Sequence, residues 1–163
     1  MKKYAVLIIT AAVAVIADCT VLAEWNLSGI RPWLLLSAAL AACAALNPQS
    51  GILTALFGGL IIDAVSNSYL GLTAACYLIS VGALWLLVRK NHPKPLILWI
   101  YAAFAAALWI PVEWFYSYLA GAHFGAVRSI LTKALPSAVL TGLFVLPAAA
   151  LLENAKKSHR DKI

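Results

Sequence analysis

A small set of charged residues within or beside apolar segments marks the positions at which this chain could do chemistry. An ionisable side chain in an apolar span needs an ion-pair partner, hydrogen-bond donors or a water-filled recess. Asp63 is the most informative of them, because a helix would place it on a face of small residues. Gly51, Ala55 and Gly59 precede it at four-residue steps. The charged positions are Asp18, Glu24, Arg31, Asp63, Glu113, Arg128 and Lys133.

These acids allow two interpretations. In the first, Asp63 and Glu113 build an outward-facing binding recess or a docking surface. In the second, the acids cap helix ends or pair internally and so fix how the helices assemble. We favour the second interpretation for Asp18 and Glu24. For Asp63, the absence of catalytic companions favours an organiser of a helix end, beside a packing groove, over an acid catalyst.

Catalytic and metal-binding arrangements are absent from the sequence. No nucleophile elbow, zinc-protease motif or phosphate-binding loop occurs. No histidine pairs with another ligand residue at metal-binding spacing, and each cysteine lies alone in an apolar run, which is typical of packing. We therefore expect no enzyme, no metal and no cofactor, and an intramembrane enzyme would rest on the outer acids alone. The residues concerned are His92, His123, His159, Cys19, Cys43 and Cys76.

The composition predicts a single integral membrane domain. Of the 163 residues, 64% are hydrophobic and only 11% are charged, and the mean hydropathy is +0.92. A soluble domain carries about 25% charged residues. This chain lacks the polar residues to cover itself in water, and no long polar block offers a second domain.

Six apolar segments predict an all-α, polytopic membrane helix bundle with about six transmembrane helices. The second and third segments are short and are joined by Asn47-Pro48-Gln49-Ser50, so they form either two full spans or a re-entrant hairpin. We expect two spans, because both segments can gain residues from their flanks. Pro111, Pro136 and Pro147 are expected to kink or interrupt the fifth and sixth helices. The predicted spans are 4–23, 33–46, 51–65, 69–88, 96–119 and 131–152, followed by a basic cytoplasmic tail, 153–163.

The distribution of Lys and Arg predicts that both termini are cytoplasmic. With the N-terminus inside, nine of the twelve basic residues fall on the inner side of the predicted spans. The net charge of +6 then reflects the topology, with the basic clusters facing membrane lipid, and nucleic-acid binding is not expected. Several aromatic residues fall near the outer ends of the spans and predict an interfacial belt. They are Trp25, Trp33, Trp109, Trp114 and Tyr116.

The glycine-rich segment is the predicted site of close helix contact. Small residues at every fourth position let another helix backbone approach, as in membrane helix pairs. The contact is either with a partner protein or within the bundle. The residues predicted for partner binding or helix packing are Gly51, Ala55, Gly58, Gly59, Asp63 and Gly71.

The chain resembles the rod shape-determining protein MreD family over most of its length, in size, number of spans and inside location of both termini. The sharpest likeness runs from Pro32 to Tyr77, and Trp33 is a departure, since an acidic residue is common there. The matching stretches are Pro32-Trp33-Leu34, Gly59-Leu60-Ile61-Ile62-Asp63, Ser66-Asn67-Ser68 and Leu70-Gly71-Leu72.

The resemblance implies a non-enzymatic scaffold of the bacterial cell-elongation (rod) complex in the inner membrane. Such a protein would bind the single-span partner MreC. It would help couple MreB filaments to peptidoglycan synthesis by RodA and its penicillin-binding transpeptidase, and so regulate cell shape. The family's fold is similar to the S component of energy-coupling-factor vitamin transporters.

The alternative function is a true substrate-binding S component, whose pocket would open outward beside Asp63 and Glu113. Those proteins carry an Ala-x-x-x-Ala motif on the first helix, which docks the energising partner. The first span here contains six alanines, and no two of them are four residues apart. This spacing counts against transport.

Overall fold

The computed structural model describes residues 2–20, 32–65, 71–88, 95–119 and 127–160, and these ranges contain helices without strands. The predicted all-α class is confirmed for this part of the chain. The helices are α1 (Lys2–Cys19), α2 (Leu34–Ala45), α3 (Pro48–Val65), α4 (Leu72–Val88), α5 (Pro95–Leu119) and α6 (Val127–Arg160).

The short helix α2 is the centre of the bundle and contacts every other helix. Its residues are buried, except that Leu34 and Ala44 are half-buried. A helix that is apolar all round belongs in a core, and the many alanines of α2 let its neighbours approach from all sides. The other helices are therefore positioned by a common central element.

Contacts between helix ends show that α1 to α4 run in alternating directions. Gly51 at the start of α3 lies against Cys43 near the end of α2, and Asp63 near the end of α3 binds the start of α4. Leu7 of α1 and Leu152 of α6 belong to one apolar cluster. The beginning of α1 and the last part of α6 thus lie at one end of the bundle, here called the termini end. The opposite end, which holds Asp18 and Asp63, is called the aspartate end.

The helix bounds bear on the predicted tail and on the three prolines expected to kink or interrupt their helices. Residues 153–160 of the predicted tail continue α6 as helix, and α6 begins before the predicted span. Pro136 and Pro147 lie inside α6, and Pro111 lies inside α5, so these prolines do not interrupt their helices. Within a bundle, neighbouring helices and local adjustments re-satisfy the backbone groups that a proline frees.

Two helical segments in the described residues are long and apolar enough to cross a membrane, Pro48–Val65 and Pro136–Ala155. The other apolar segments are shorter. The twelve residues of α2 extend about 18 Å at 1.5 Å per residue, less than the hydrocarbon core of a bilayer. Six complete spans therefore stay a prediction.

The interfacial aromatic belt is wrong for Trp33 and Trp109, which are both buried. Their ring centroids lie 6.0 Å apart in an edge-to-face arrangement, and Tyr77 lies 6.0 Å from Trp109. The three rings join α5 and α4 to the chain just before α2. The sequence shows that these rings lie near helix ends, but it does not show that they point into the bundle. Trp25 and the side chains of Trp114 and Tyr116 lie outside the described residues.

Candidate functional site: buried aspartates that cap helix starts

The carboxylate of Asp63 caps the start of α4. Asp63 is fully buried, and its Oδ2 accepts hydrogen bonds from the backbone N–H of Gly71 at 2.9 Å and Thr73 at 3.1 Å. The N–H of Ala74 approaches the same oxygen at 3.5 Å. The first N–H groups of a helix have no partner within it and carry a partial positive charge, which a carboxylate stabilises. The last turn of α3 thus supplies the acceptor that α4 lacks.

Gly71 explains why the cap comes from a distant residue. It precedes the first residue of α4, and its carbonyl accepts the N–H of Ala75 at 2.8 Å. This position usually holds Ser, Thr, Asp or Asn, whose side chain caps the helix. Glycine has no such side chain, and its φ of +98° lies in the left-handed region that favours glycine. Asp63 performs the missing role from the preceding helix.

The small-residue face of α3 packs inside the bundle. A Cβ added at Gly59 would lie 2.6 Å from the Cα of Ala74, and one added at Gly51 would lie 2.6 Å from the Cβ of Cys43. Ala55 is fully buried. A Cβ at Gly58 would lie 2.6 Å from the Leu35 side chain. The face therefore forms internal contacts with α2 and α4, the second of the two alternatives stated for it.

Asp18 repeats this device at the start of α2. It is 1% exposed and lies near the end of α1, and its two oxygens accept the backbone N–H groups of Leu34 at 3.2 Å and Leu35 at 2.9 Å. In both cases, an aspartate in the last turn of one helix caps the next helix that the structure describes. These two acids therefore stabilise helix pairs.

Thr141 of α6 completes the start of α2, and the sequence analysis missed it. Its Oγ1 accepts the backbone N–H of Trp33 at 3.0 Å and donates to the carbonyl of Ser137 at 2.8 Å. The Ser37 hydroxyl donates to the Thr141 carbonyl at 2.8 Å. Ser137 and Thr141 stand four residues apart in an apolar helix, and that spacing was the available signal.

Replacing Thr141 with valine should lower the free energy of unfolding by about 1 to 2 kcal/mol, because the buried N–H of Trp33 loses its acceptor while the side-chain shape is kept. Thr54→Val is the matched control, since the Thr54 hydroxyl donates to a carbonyl of its own helix, Ser50, at 2.8 Å. Unfolding midpoints in detergent measure both. Equal effects of the two substitutions would contradict this role of Thr141.

The structure describes only part of the predicted outer polar layer. Asp18 and Asp63 both lie at the aspartate end, each bound to a different helix. Glu113 lies in α5 and Arg128 in α6, but their side chains are outside the described part, as are residues Glu24 and Arg31. Whether these charges share a recess therefore stays a prediction. Within the described residues, no group of His, Cys, Asp or Glu could hold a metal ion.

A groove of about 530 Å³ runs along the surface between α1 and α3. Its lining is almost entirely apolar, and several of its residues are among the most exposed large hydrophobic side chains. Representative lining residues are Ile8, Ala12 and Ile16 of α1 and Leu53, Phe57 and Ile61 of α3. Because α1 and α3 are both antiparallel to α2, they run in the same direction along this groove.

No family model, curated protein or solved structure matches this chain. In its described residues, the protein is an all-helical bundle in which two buried carboxylates cap helix starts.

Proposed function

We propose that this chain is a non-enzymatic membrane scaffold similar to MreD, which binds MreC in the bacterial inner membrane. In this role it helps couple MreB filaments to peptidoglycan synthesis by RodA and its penicillin-binding transpeptidase. Both termini are cytoplasmic in this proposal, and all six helices belong to the membrane domain.

The observation that carries the proposal is that three described residues of the resemblance, Gly59, Asp63 and Gly71, form one structural unit. Gly59 lies close against Ala74 of α4, and Asp63 caps the start of α4 by accepting the backbone N–H of Gly71. These residues hold two helices together, which is the role expected of a structural motif in a scaffold protein. The same residues would be poorly placed for a reaction, since Asp63 has no exposed surface.

The surface of the bundle supports membrane placement. Large aliphatic side chains are exposed on several helices, among them Ile8 at 67%, Ile79 at 70% and Leu87 at 69%. In water such a surface would drive aggregation, whereas in lipid it costs nothing. The Lys and Arg bias of the sequence supports the inside location of the termini.

The burial of Asp63 favours a scaffold over the S component of a vitamin transporter. A ligand in an outward-opening pocket would need an acceptor or a charge that it can reach. Both Asp63 oxygens instead accept backbone N–H groups of the neighbouring helix. The internal packing of Gly51 and Gly59 also removes the small-residue face as a docking site, so the partner must meet another face of the bundle.

Co-purification with MreC from the same genome tests the proposal. We expect tagged protein in mild detergent to co-elute with MreC and to unfold at a higher temperature in its presence, because a partner that binds only the folded state stabilises it. An unrelated single-span protein expressed at the same level is the control. Absence of MreC from the eluate even after gentle cross-linking would contradict the proposal, as would a thermal shift with a vitamin.

A further inference from the structure

We propose that the groove between α1 and α3 holds one acyl chain of an anionic phospholipid from the cytoplasmic leaflet. This inference rests on the membrane placement proposed above but not on the binding of MreC. It assigns an occupant to the groove from its length, its apolar lining and the charge at one of its ends.

The length of the groove fits one leaflet of a bilayer. Its lining on α1 extends from Tyr4 to Ile16, twelve residues apart, which corresponds to about 18 Å of helix. Half of a hydrocarbon core about 30 Å thick is about 15 Å. An acyl chain of a single leaflet therefore fills the groove, whereas a helix crossing the whole bilayer would extend well beyond it.

The lining of the groove suits an alkyl chain. The hydroxyl of Thr54 donates to Ser50 within α3, so it is not offered across the groove. Gly58, the one glycine in the lining, packs against Leu35 of α2. It is therefore not available for close approach of a second helix backbone. Membrane helices associate through close backbone approach and hydrogen bonds between them. An acyl chain needs neither.

Two basic residues of the sequence precede the groove where α1 begins. Lys2 and Lys3 are the first residues of α1, directly before Tyr4, which lines the groove at the termini end. The turn between α2 and α3 brings Asn47 and Gln49, both exposed, to the same end. Basic residues at the cytoplasmic end of an intramembrane recess are typical of sites for anionic lipid headgroups. The charge is therefore complementary to a phosphate headgroup.

Native mass spectrometry of the full chain, released from nanodiscs of equal phosphatidylglycerol and phosphatidylcholine with identical acyl chains, tests the inference. We expect wild-type protein to retain one phosphatidylglycerol, with a preference of about tenfold over phosphatidylcholine. The double substitution K2Q/K3Q should abolish the preference but keep a bound lipid, because the apolar groove is unchanged.

Ala12→Phe should fill the groove and remove the retained lipid. Ala12 is exposed, so the larger side chain needs no repacking of the core. Val13→Phe is the matched control, since Val13 is 61% exposed and does not line the groove. Ala11→Phe, also in the lining, replaces Ala12→Phe should that variant fold poorly.

Three results would overturn the inference. They are equal retention of the two lipids by wild type, unchanged retention in the groove-filling variants, and a second copy of the chain in place of the lipid. No partner protein is present in the experiment, so its failure is distinguishable from a failure of the MreC experiment.

Discussion

Replacing Asp63 with alanine should lower the free energy of unfolding by about 3 kcal/mol or more. The substitution leaves the N–H groups of Gly71, Thr73 and Ala74 without their acceptor. Each buried donor left unsatisfied costs about 1 to 3 kcal/mol. The start of α4 also loses the carboxylate that complements its dipole.

Unfolding midpoints in detergent or bicelles measure this effect. Asp63→Asn should lose less, because its remaining oxygen still accepts a hydrogen bond. Glu153→Ala is the control for loss of a carboxylate, since Glu153 is exposed on α6. If Asp63→Ala were as stable as Glu153→Ala, the capping role would be refuted.

Gly59→Ala should lower the free energy of unfolding by about 1 to 3 kcal/mol. The new Cβ would lie 2.6 Å from the Cα and 2.8 Å from the N of Ala74, both backbone atoms, so the helices must move apart. Separation also lengthens the approach of the Ala74 N–H to Asp63. The effects of Gly59→Ala and Asp63→Ala should therefore be non-additive in a double-mutant cycle.

Gly82→Ala is the matched control for this prediction, because a Cβ at Gly82 meets nothing within 4 Å. It should be neutral or stabilising by up to about 1 kcal/mol, since alanine favours helix more than glycine does. Unfolding measured side by side in one detergent compares the two variants. Similar effects at the two glycines would refute the close α3–α4 contact.

The sequence predicted the elements of this bundle better than their arrangement. Hydropathy located the six helices that the structure describes, and four-residue spacing placed Gly59 and Asp63 on one face because the helical period is local information. The partners of that face are not local. Asp63 binds residues eight to eleven positions further along the chain, and the sequence left open whether it faced a ligand, another side chain or a backbone.

Uniformly apolar helices conceal their position in a fold. Every face of α2 is apolar, so only its contacts with the other helices identify it as the central helix. For the same reason, Trp33 and Trp109 were assigned to a lipid interface that they do not occupy. Thr141 escaped notice because its acceptor role depends on a residue 108 positions away.

That long-range bond has a consequence for biosynthesis. The cell makes the chain from its N-terminus, so α1 and α2 can pair through Asp18 early. The N–H of Trp33, however, obtains its acceptor only when Thr141 arrives in the last helix. A chain truncated before α6 therefore keeps an unsatisfied donor at the core of the bundle, and full-length synthesis is a condition for completing the hydrogen bonds at the start of α2.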